Sequence, residues 1–295
     1  MNPYYKEYSE FLAEHFDGKV QKLSVDVGFT CPNRDGTVGR GGCIYCNNMA
    51  FSPDWEKRSA GVAEQIARGK AFFARKYPEM CYLAYFQSYT STYAAPEKLL
   101  ALYSEALEQP GVVGLIIGTR PDCMPDSLLD SIAKLGTKVF IEYGAESSHD
   151  STLAAINRCH TWAQTVDAVE RTAGRGIPVG LHLILGLPGE TEEMMARTVS
   201  RVSSLPVSTV KFHQLQILKG TPLEKMSAEL DIPVYTAEEY AALCSRLLKY
   251  LRRDIAVERF VAQAPADMLI SPRWGLKNYQ FVSLLHKALN SLSVK

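Results

Sequence analysis

Residues 22–46 read KLSVDVGFTCPNRDGTVGRGGCIYC, and the organisation of the chain depends on how this stretch divides. Its first part alternates: Leu23, Val25, Val27 and Phe29 are apolar, while Ser24, Asp26 and Gly28 are not. A period of two predicts a strand. The strand gives way to a loop from Thr30 to about Asp54, in which Cys31, Cys43 and Cys46 are spaced Cys-x11-Cys-x2-Cys around Gly36, Gly39, Gly41 and Gly42. Such glycines let a backbone fold tightly round a compact object. Closely placed thiolates form a soft donor set, suited to zinc or to an iron–sulfur cluster. Structural zinc normally takes four protein ligands, and the nearest histidine in sequence, His15, precedes the strand. Spacing alone leaves open zinc completed by a distant ligand or a [4Fe–4S] cluster with one iron free, while the glycines and the position after a strand argue against merely inert buried cysteines.

Outward from this loop, strands and helices take turns. Residues 3–16 predict an amphipathic helix with Tyr4, Tyr8, Phe11 and Leu12 on one side. Helical patterns lie near 59–76, 96–108, 125–135, 149–157, 162–174, 190–203 and 236–252, and further strands near 81–87, 112–118, 137–143, 178–186 and 208–215. Continuous apolar strands such as VVGLIIG predict burial on both faces, as in a parallel sheet covered by helices. Six strands separated by helices fit a partial TIM-like barrel or an open doubly wound sheet, and pattern alone does not choose. No Gly/Ser linker interrupts the chain. We divide it into a main domain, 1–220, and a C-terminal extension, 221–295, the latter a candidate for substrate binding.

The 295 residues are 46% hydrophobic and 22% charged, which excludes wholesale disorder. Thirty-two basic residues balance thirty-two acidic ones, so no global field draws the chain to nucleic acid or membrane. The basic residues Arg246, Lys249, Arg252, Arg253, Arg259, Arg273 and Lys277 could grip RNA phosphates, but interleaved Asp254 and Glu258 favour a solvated face. The start, MNPYYKEYSEFLAEHF, lacks the apolar core of a signal peptide, and no apolar run is long enough to span a bilayer. The expectation is a soluble, cytoplasmic protein with no membrane partner. Seven cysteines, without a secretory signal, point to metal or redox chemistry rather than a disulfide framework.

The cysteine loop resembles the cluster-binding loop of radical S-adenosylmethionine (SAM) enzymes in a longer-spaced variant, with Tyr45 at the aromatic position that packs near the adenine. The resemblance covers nearly the whole chain and is to the YhcC/YtqA-type (MnmL-like) subfamily, akin to the Elongator catalytic subunit and oxygen-independent coproporphyrinogen oxidase. It implies a partial (β/α)6 TIM-like barrel with an N-terminal helix and a small C-terminal extension. It further implies a [4Fe–4S] cluster on Cys31, Cys43 and Cys46, SAM at the open iron, and a reduced flavodoxin or ferredoxin-type electron donor. Reductive cleavage of SAM would then yield a radical that abstracts hydrogen from substrate. For this subfamily the implied partner is tRNA, whose wobble-uridine C5 side chain would pass from carboxymethylaminomethyl to aminomethyl. The alternatives are a small carboxylated, porphyrinogen-like substrate, or a non-catalytic zinc-binding adaptor.

Barrel enzymes place function at the C-terminal ends of strands. After the second strand, Gln87, Ser88 and Thr90 stand where relatives carry a Gly-Gly-Glu-like segment for the SAM amino group, and their oxygens are suitable acceptors. Gly118 stands where Elongator relatives often carry Glu, so a ribose-binding carboxylate is missing there; Arg120 and Asp122 remain candidates, and Cys123 is assigned to packing. Glu142, an acid inside a buried-looking strand, needs a partner, either the cofactor ribose or an internal cation. Glu146 replaces a frequent Gln, and Arg158 matches an arginine that meets the SAM carboxylate. Gly186 belongs to a segment resembling the one along the adenine, with Glu190 as its acid or as a helix start. His182 reads as a satisfied interior histidine, whereas His213 and Gln216 could reach the substrate, and His213 is also placed among the cofactor-binding residues. Cys81, Cys159 and Cys244 are too dispersed for a second cluster.

Overall fold

From the N-terminus, β1 (Lys6–Glu7) runs into α1 (Tyr8–Ala13), and β2 (Val20–Val25) is followed by α2 (Pro32–Asp35) and α3 (Val62–Ala74). The βα repeat continues through β3 (Cys81–Phe86), α4 (Pro96–Leu107), β4 (Val112–Thr119), α5 (Asp126–Ala133), β5 (Lys138–Glu146), α6 (Asp150–Ala155), α7 (Trp162–Ala173), β6 (Val179–Leu185), α8 (Glu192–Ser203) and β7 (Thr209–Gln214). The remainder holds β8 (Ile217–Leu218), α9 (Pro222–Met226), α10 (Ala237–Leu247), β9 (Ala256–Arg259), β10 (Leu269–Ser271) and α11 (Asn278–Ser293). This computed structural model describes residues 2–47, 53, 56, 60–74 and 79–293. Part of the predicted cysteine loop (48–52 and 54) and the predicted helix ends at 59 and 75–76 lie outside the described residues.

Among the described residues, eight strands form one sheet in the order β1-β9-β7-β6-β5-β4-β3-β2, and every neighbouring pair is parallel. Alternation along the strands sorts the side chains. On the outer face Leu115, Ile117, Ile141, Tyr143, Leu181, Leu183, Val210 and Phe212 join helix residues such as Ile66, Leu99, Leu129, Val169 and Val199 in the main core. The inner face is different. Leu83, Ile116 and Phe140 meet Phe11 of α1, which lies edge-on to Phe140 at 5.6 Å between ring centroids. The amphipathic face of α1 therefore fills the lower part of the sheet's concave side.

The sheet is curled rather than flat. Lys22 on β2, one edge, forms an ion pair with Glu258 on β9, beside the opposite edge. A partial barrel gives such a contact; an open doubly wound sheet does not.

Three expectations are corrected. The sheet has eight strands, not six, because β1 and β9 join it from the two ends of the chain. The predicted helix over 3–16 is shorter and begins at Tyr8, the preceding residues having been drawn into pairing with β9. The first predicted strand starts earlier and ends at Val25, since the Gln65 amide of α3 takes both the N–H and the C=O of Asp26, at 2.9 and 2.8 Å.

The basic residues of the C-terminal part do not form one patch. Arg246 makes a two-bond pair with Glu192 (2.5 and 2.7 Å). Arg252 binds Asp254 and the carbonyls of Ser203 and Leu205, Arg253 reaches the Pro3 carbonyl, and Arg259 turns into the barrel beside His213. Among the described residues, no helix is long and apolar enough to cross a membrane.

Candidate functional site: a cavity between the cysteine loop and the barrel floor

Cys31 begins α2, and the Arg34 and Asp35 amides fold back onto its carbonyl. The loop closes around Asn33, which is fully buried. Its side chain donates to the Asn157 carbonyl at 2.5 Å and lies 3.7 Å from the Cys43 sulfur, while its own carbonyl accepts from the Gly42 N–H at 2.8 Å. Asn157 answers by donating to the Gly42 and Arg40 carbonyls. At Gly39 a side chain has no room, because a Cβ would sit 2.2 Å from Asn33 Oδ1 and 2.8 Å from the Cys159 sulfur. Gly39 is thus explained by a loop wound on an asparagine and clasped to the turn before Arg158.

Cys31, Cys43 and Cys46, none of them in a disulfide, line one cavity at the C-terminal ends of the strands. Burial, then the neighbouring Cys43, pushes the Cys46 thiol up to about 12, against the opposing pull of Arg34 and Arg158. A bound metal reverses that balance by stabilising the thiolate, so loading releases protons. Among the described residues, no three side chains converge on a single metal ion. Thiolates at three different corners of a cluster do not need such convergence.

Arg158 forms the wall beside Cys43. It donates to the Gly144 carbonyl at 2.6 Å and towards the Cys43 sulfur at 3.6 Å, and stands 3.3 Å from Glu146. Its own backbone carbonyl is held by Arg120 at 2.9 Å, and Arg120 is fixed in turn by a two-bond pair with Asp122. A Cβ at Gly144 would meet the Arg158 guanidinium at 2.5 Å and Glu146 Oε1 at 2.6 Å, so a side chain there would displace both from this arrangement. Burial raises the Glu146 pKa despite the opposing pull of Arg158 and Tyr45. The non-glycine residues with left-handed backbone are Ser88, Tyr89, Glu146, Asn157 and Cys159 among the described residues. All lie on or beside the cavity wall, a pattern of strain expected at functional sites.

The floor is a buried charge network. Glu142 accepts from Lys22 (2.9 Å), Lys211 (2.5 Å) and His182 (2.9 Å). Glu258 pairs with the same two lysines, and Lys211 also donates to the Tyr85 hydroxyl at 3.1 Å. Burial opposes the Glu142 charge, yet Lys211, Lys22 and His182 hold its pKa well below the usual range. Burial also wins at Lys211, pushing it down to about 8 despite the two glutamates, and at His182, pushed down to about 4.

Tyr45, Gln87, Ser88, Glu142, Glu146, Arg158 and His213 line the cavity together with the three cysteines. Glu142, placed with cofactor contacts from the sequence, has both oxygens engaged by protein cations and so resolves as the internal ion pair. Thr90 and Gly186 are not on the lining. Thr90 is fully buried behind it, and Gly186 faces Pro233 and Tyr235. His182 is indeed satisfied, by Glu142, but lines the cavity as well. Sequence reasoning missed Asn33, Lys22, Lys211 and Tyr85. For Lys211 the signal was available: a charge inside the strand TVKFHQ raises the same question as Glu142 in its strand.

The comparisons with known proteins agree with this geometry. Residues 30–202 match the family model of the radical SAM superfamily, and residues 207–291 match that of the radical SAM C-terminal domain. Protein YhcC of Escherichia coli K12 is 36% identical over 96% of this chain and 92% of its own length. Protein YtqA of Bacillus subtilis is 34% identical over 97% and 90%. The tRNA uridine(34) acetyltransferase of Methanocaldococcus jannaschii is 25% identical over 62% of this chain and 34% of its own. In fold, archaeal Elp3 from Methanocaldococcus infernus superposes with a TM-score of 0.69 at 18% identity, covering 94% of this chain and 64% of that longer one. The family implies a [4Fe–4S] cluster and SAM. The residues present fit them: three cysteines on one wall, N–H donors from Asn33 and Arg158 aimed at the Cys43 sulfur, and an Arg158 Nε buried without a partner. By its family match, its relatives and its curled parallel sheet, the chain belongs to the radical SAM superfamily of enzymes.

Proposed function

We propose that this radical SAM enzyme modifies tRNA at the wobble uridine, acting on the C5 side chain and converting carboxymethylaminomethyl to aminomethyl. One observation carries the reading. The stretch similar to a tRNA uridine(34) acetyltransferase spans 62% of the chain, in an enzyme whose cavity faces polar floor groups opposite its cysteines.

Cys31, Cys43 and Cys46 would hold the cluster, and Arg158 beside Cys43 would orient the SAM carboxylate. When bound, cluster and SAM supply reductively generated radical chemistry, with a reduced flavodoxin or ferredoxin-type protein as electron source. The protein's own part is positioning and exclusion of water. Tyr45 closes one side, Ile184 and Leu215 give apolar walls, and Gly118 and Gly144 leave space above the floor. Gln87 and Ser88 offer acceptors towards an ammonium group. A small carboxylated molecule of porphyrinogen type is the second reading, favoured by the same cationic floor.

The test is the modified-nucleoside profile of tRNA from the source organism lacking this gene. Accumulation of the carboxymethylaminomethyl form at the expense of aminomethyl supports the proposal. An unchanged wobble-uridine profile, with no second copy of the gene present, removes it.

A further inference from the structure

The floor network has one cation too many. Lys22 and Lys211 each contact both Glu142 and Glu258, so two lysines neutralise two carboxylates. Arg259 stands beside them without a carboxylate partner among the described residues. A β-bulge puts it there: the register between β7 and β9 shifts between Val210 and Lys211, so that Arg259 opposes Lys211. An extra residue in a strand breaks the alternation of faces, and both Glu258 and Arg259 consequently turn inward. Arg259 Nη2 donates to His213 Nε2 at 2.9 Å, which requires a neutral His213 ring with its proton on Nδ1. Burial, then Arg259 itself, holds the His213 pKa well below its usual value, so this histidine adds no compensating charge. Arg259 Nε is buried with no hydrogen-bond partner.

Gln216 lines the same cavity and has a matching deficiency. Its Nε2 is spent on the Ala262 carbonyl at 3.2 Å, which leaves Oε1 as a buried acceptor with nothing to accept from. A half-buried guanidinium with no ionic partner among the described residues and a buried Nε that meets no acceptor is held at a cost, and an anion entering the cavity would relieve it. The geometry points to Arg259 as the anchor for a carboxylate on the substrate, with Gln216 accepting an N–H next to that carboxylate. The group recognised is an amine-linked carboxylate of the N-substituted glycine type. Arg158, beside Cys43, remains assigned to the SAM carboxylate. The choice of a uridine carrying the carboxylate rests on the function proposed above; the anchor itself does not.

Anaerobically reconstituted, SAM-bound protein is titrated calorimetrically with three probes: the nucleoside 5-carboxymethylaminomethyluridine, its methyl ester, and coproporphyrin as a carboxylate without a nucleoside. A charge-assisted guanidinium–carboxylate contact predicts that the wild type prefers the acid to the ester by roughly 10- to 100-fold. Arg259→Gln should abolish that preference. Arg259→Lys retains charge but not the planar fork, so it should keep part of the preference and provides the reading if Arg259→Gln fails to fold. Coproporphyrin binding that depends on Arg259, with no binding of either nucleoside, upholds the anchor and removes the uridine reading. Equal affinity of the wild type for acid and ester, an undiminished preference in Arg259→Gln, or no binding of any carboxylate probe overturns the anchor.

Discussion

Replacing Glu142 by Gln removes the charge at the centre of the floor while keeping its shape, and the structure sets the size of the effect. Breaking a buried ion pair by deleting one partner costs about 3–5 kcal/mol when the remaining charge has nowhere to go. Here both remaining lysines keep Glu258, at 3.1 Å from Lys211 and in direct contact with Lys22. Lys211 has a further escape. Its pKa is already pushed down to about 8 from 10.5, mainly by burial. At about 1.4 kcal/mol per pH unit, holding it charged at pH 7 already costs roughly 3 kcal/mol, whereas releasing its proton at pH 7 costs at most about 5. The additional loss at Lys211 is therefore limited to about 1–2 kcal/mol. Adding the contacts to Lys22 and His182, Glu142→Gln should cost about 3 kcal/mol at pH 7.

The pH dependence has a definite sign. A lysine with a depressed folded-state pKa binds fewer protons folded than unfolded between about 8 and 10.5, so its penalty shrinks as pH rises through that window. Loss of the Glu142 charge lowers the Lys211 pKa further, so in Glu142→Gln the lysine should be largely neutral at pH 7. By pH 9 the wild-type lysine is mostly neutral too, and the difference at this residue vanishes. Urea unfolding of both proteins should then give a destabilisation about 1–2 kcal/mol smaller at pH 9 than at pH 7. A variant as stable as the wild type at pH 7, or a penalty that grows towards pH 9, would refute the assignment of Glu142 as the counter-ion of a strained Lys211.

Two other perturbations test the cavity's construction. Gly39→Ala forces a methyl group onto Asn33 Oδ1 and the Cys159 sulfur, so it should unwind the cysteine loop while sparing the barrel; iron retained after gel filtration should fall well below wild type with the far-ultraviolet circular dichroism unchanged, and full retention would contradict the packing. His160 is 5% exposed, and burial, then Arg158 and Arg120, pushes its pKa down to about 3. Below pH 6.5 the unfolded chain takes up a proton that the folded chain refuses, so stability falls as pH drops from 6.5 towards 3; His160→Gln should reduce the loss between pH 7 and 5 by about 2 kcal/mol in urea titrations, and an unaltered pH dependence would argue against a neutral buried His160.

Much of the architecture was legible because its signals are long. Strands such as VVGLIIG are continuously apolar, and helices such as Trp162–Ala173 carry both an amphipathic stripe and a capping box at Thr161 and Gln164. The strands β1 and β9 have two and four residues, too few for a period to emerge, and they supply two of the eight strands. In the site, Cys31, Cys43, Cys46, Tyr45 and Arg158 were legible as a motif. Lys22 and Lys211 were not, because a lysine in a strand ordinarily marks a solvated face, and only curling of the sheet brings both to Glu142. Arg259 was grouped with Arg252 and Arg253 by sequence proximity; the bulge that turns it inward leaves no trace in composition. Thr90 and Gly186 sit near strand ends but are not on the cavity lining: Thr90 is buried behind it, and a Cβ on Gly186 would point at Tyr235 and Pro233.

Membership of the radical SAM superfamily implies that Cys31, Cys43 and Cys46 would hold an iron–sulfur cluster at which SAM is reductively cleaved. Anaerobic reconstitution with iron and sulfide, then reduction in the presence of SAM, measures this directly. The wild type should become a brown protein with about four irons per chain that releases 5′-deoxyadenosine, and Cys43→Ala should keep its fold and release none. A colourless protein that takes up a single zinc and leaves SAM intact would contradict it.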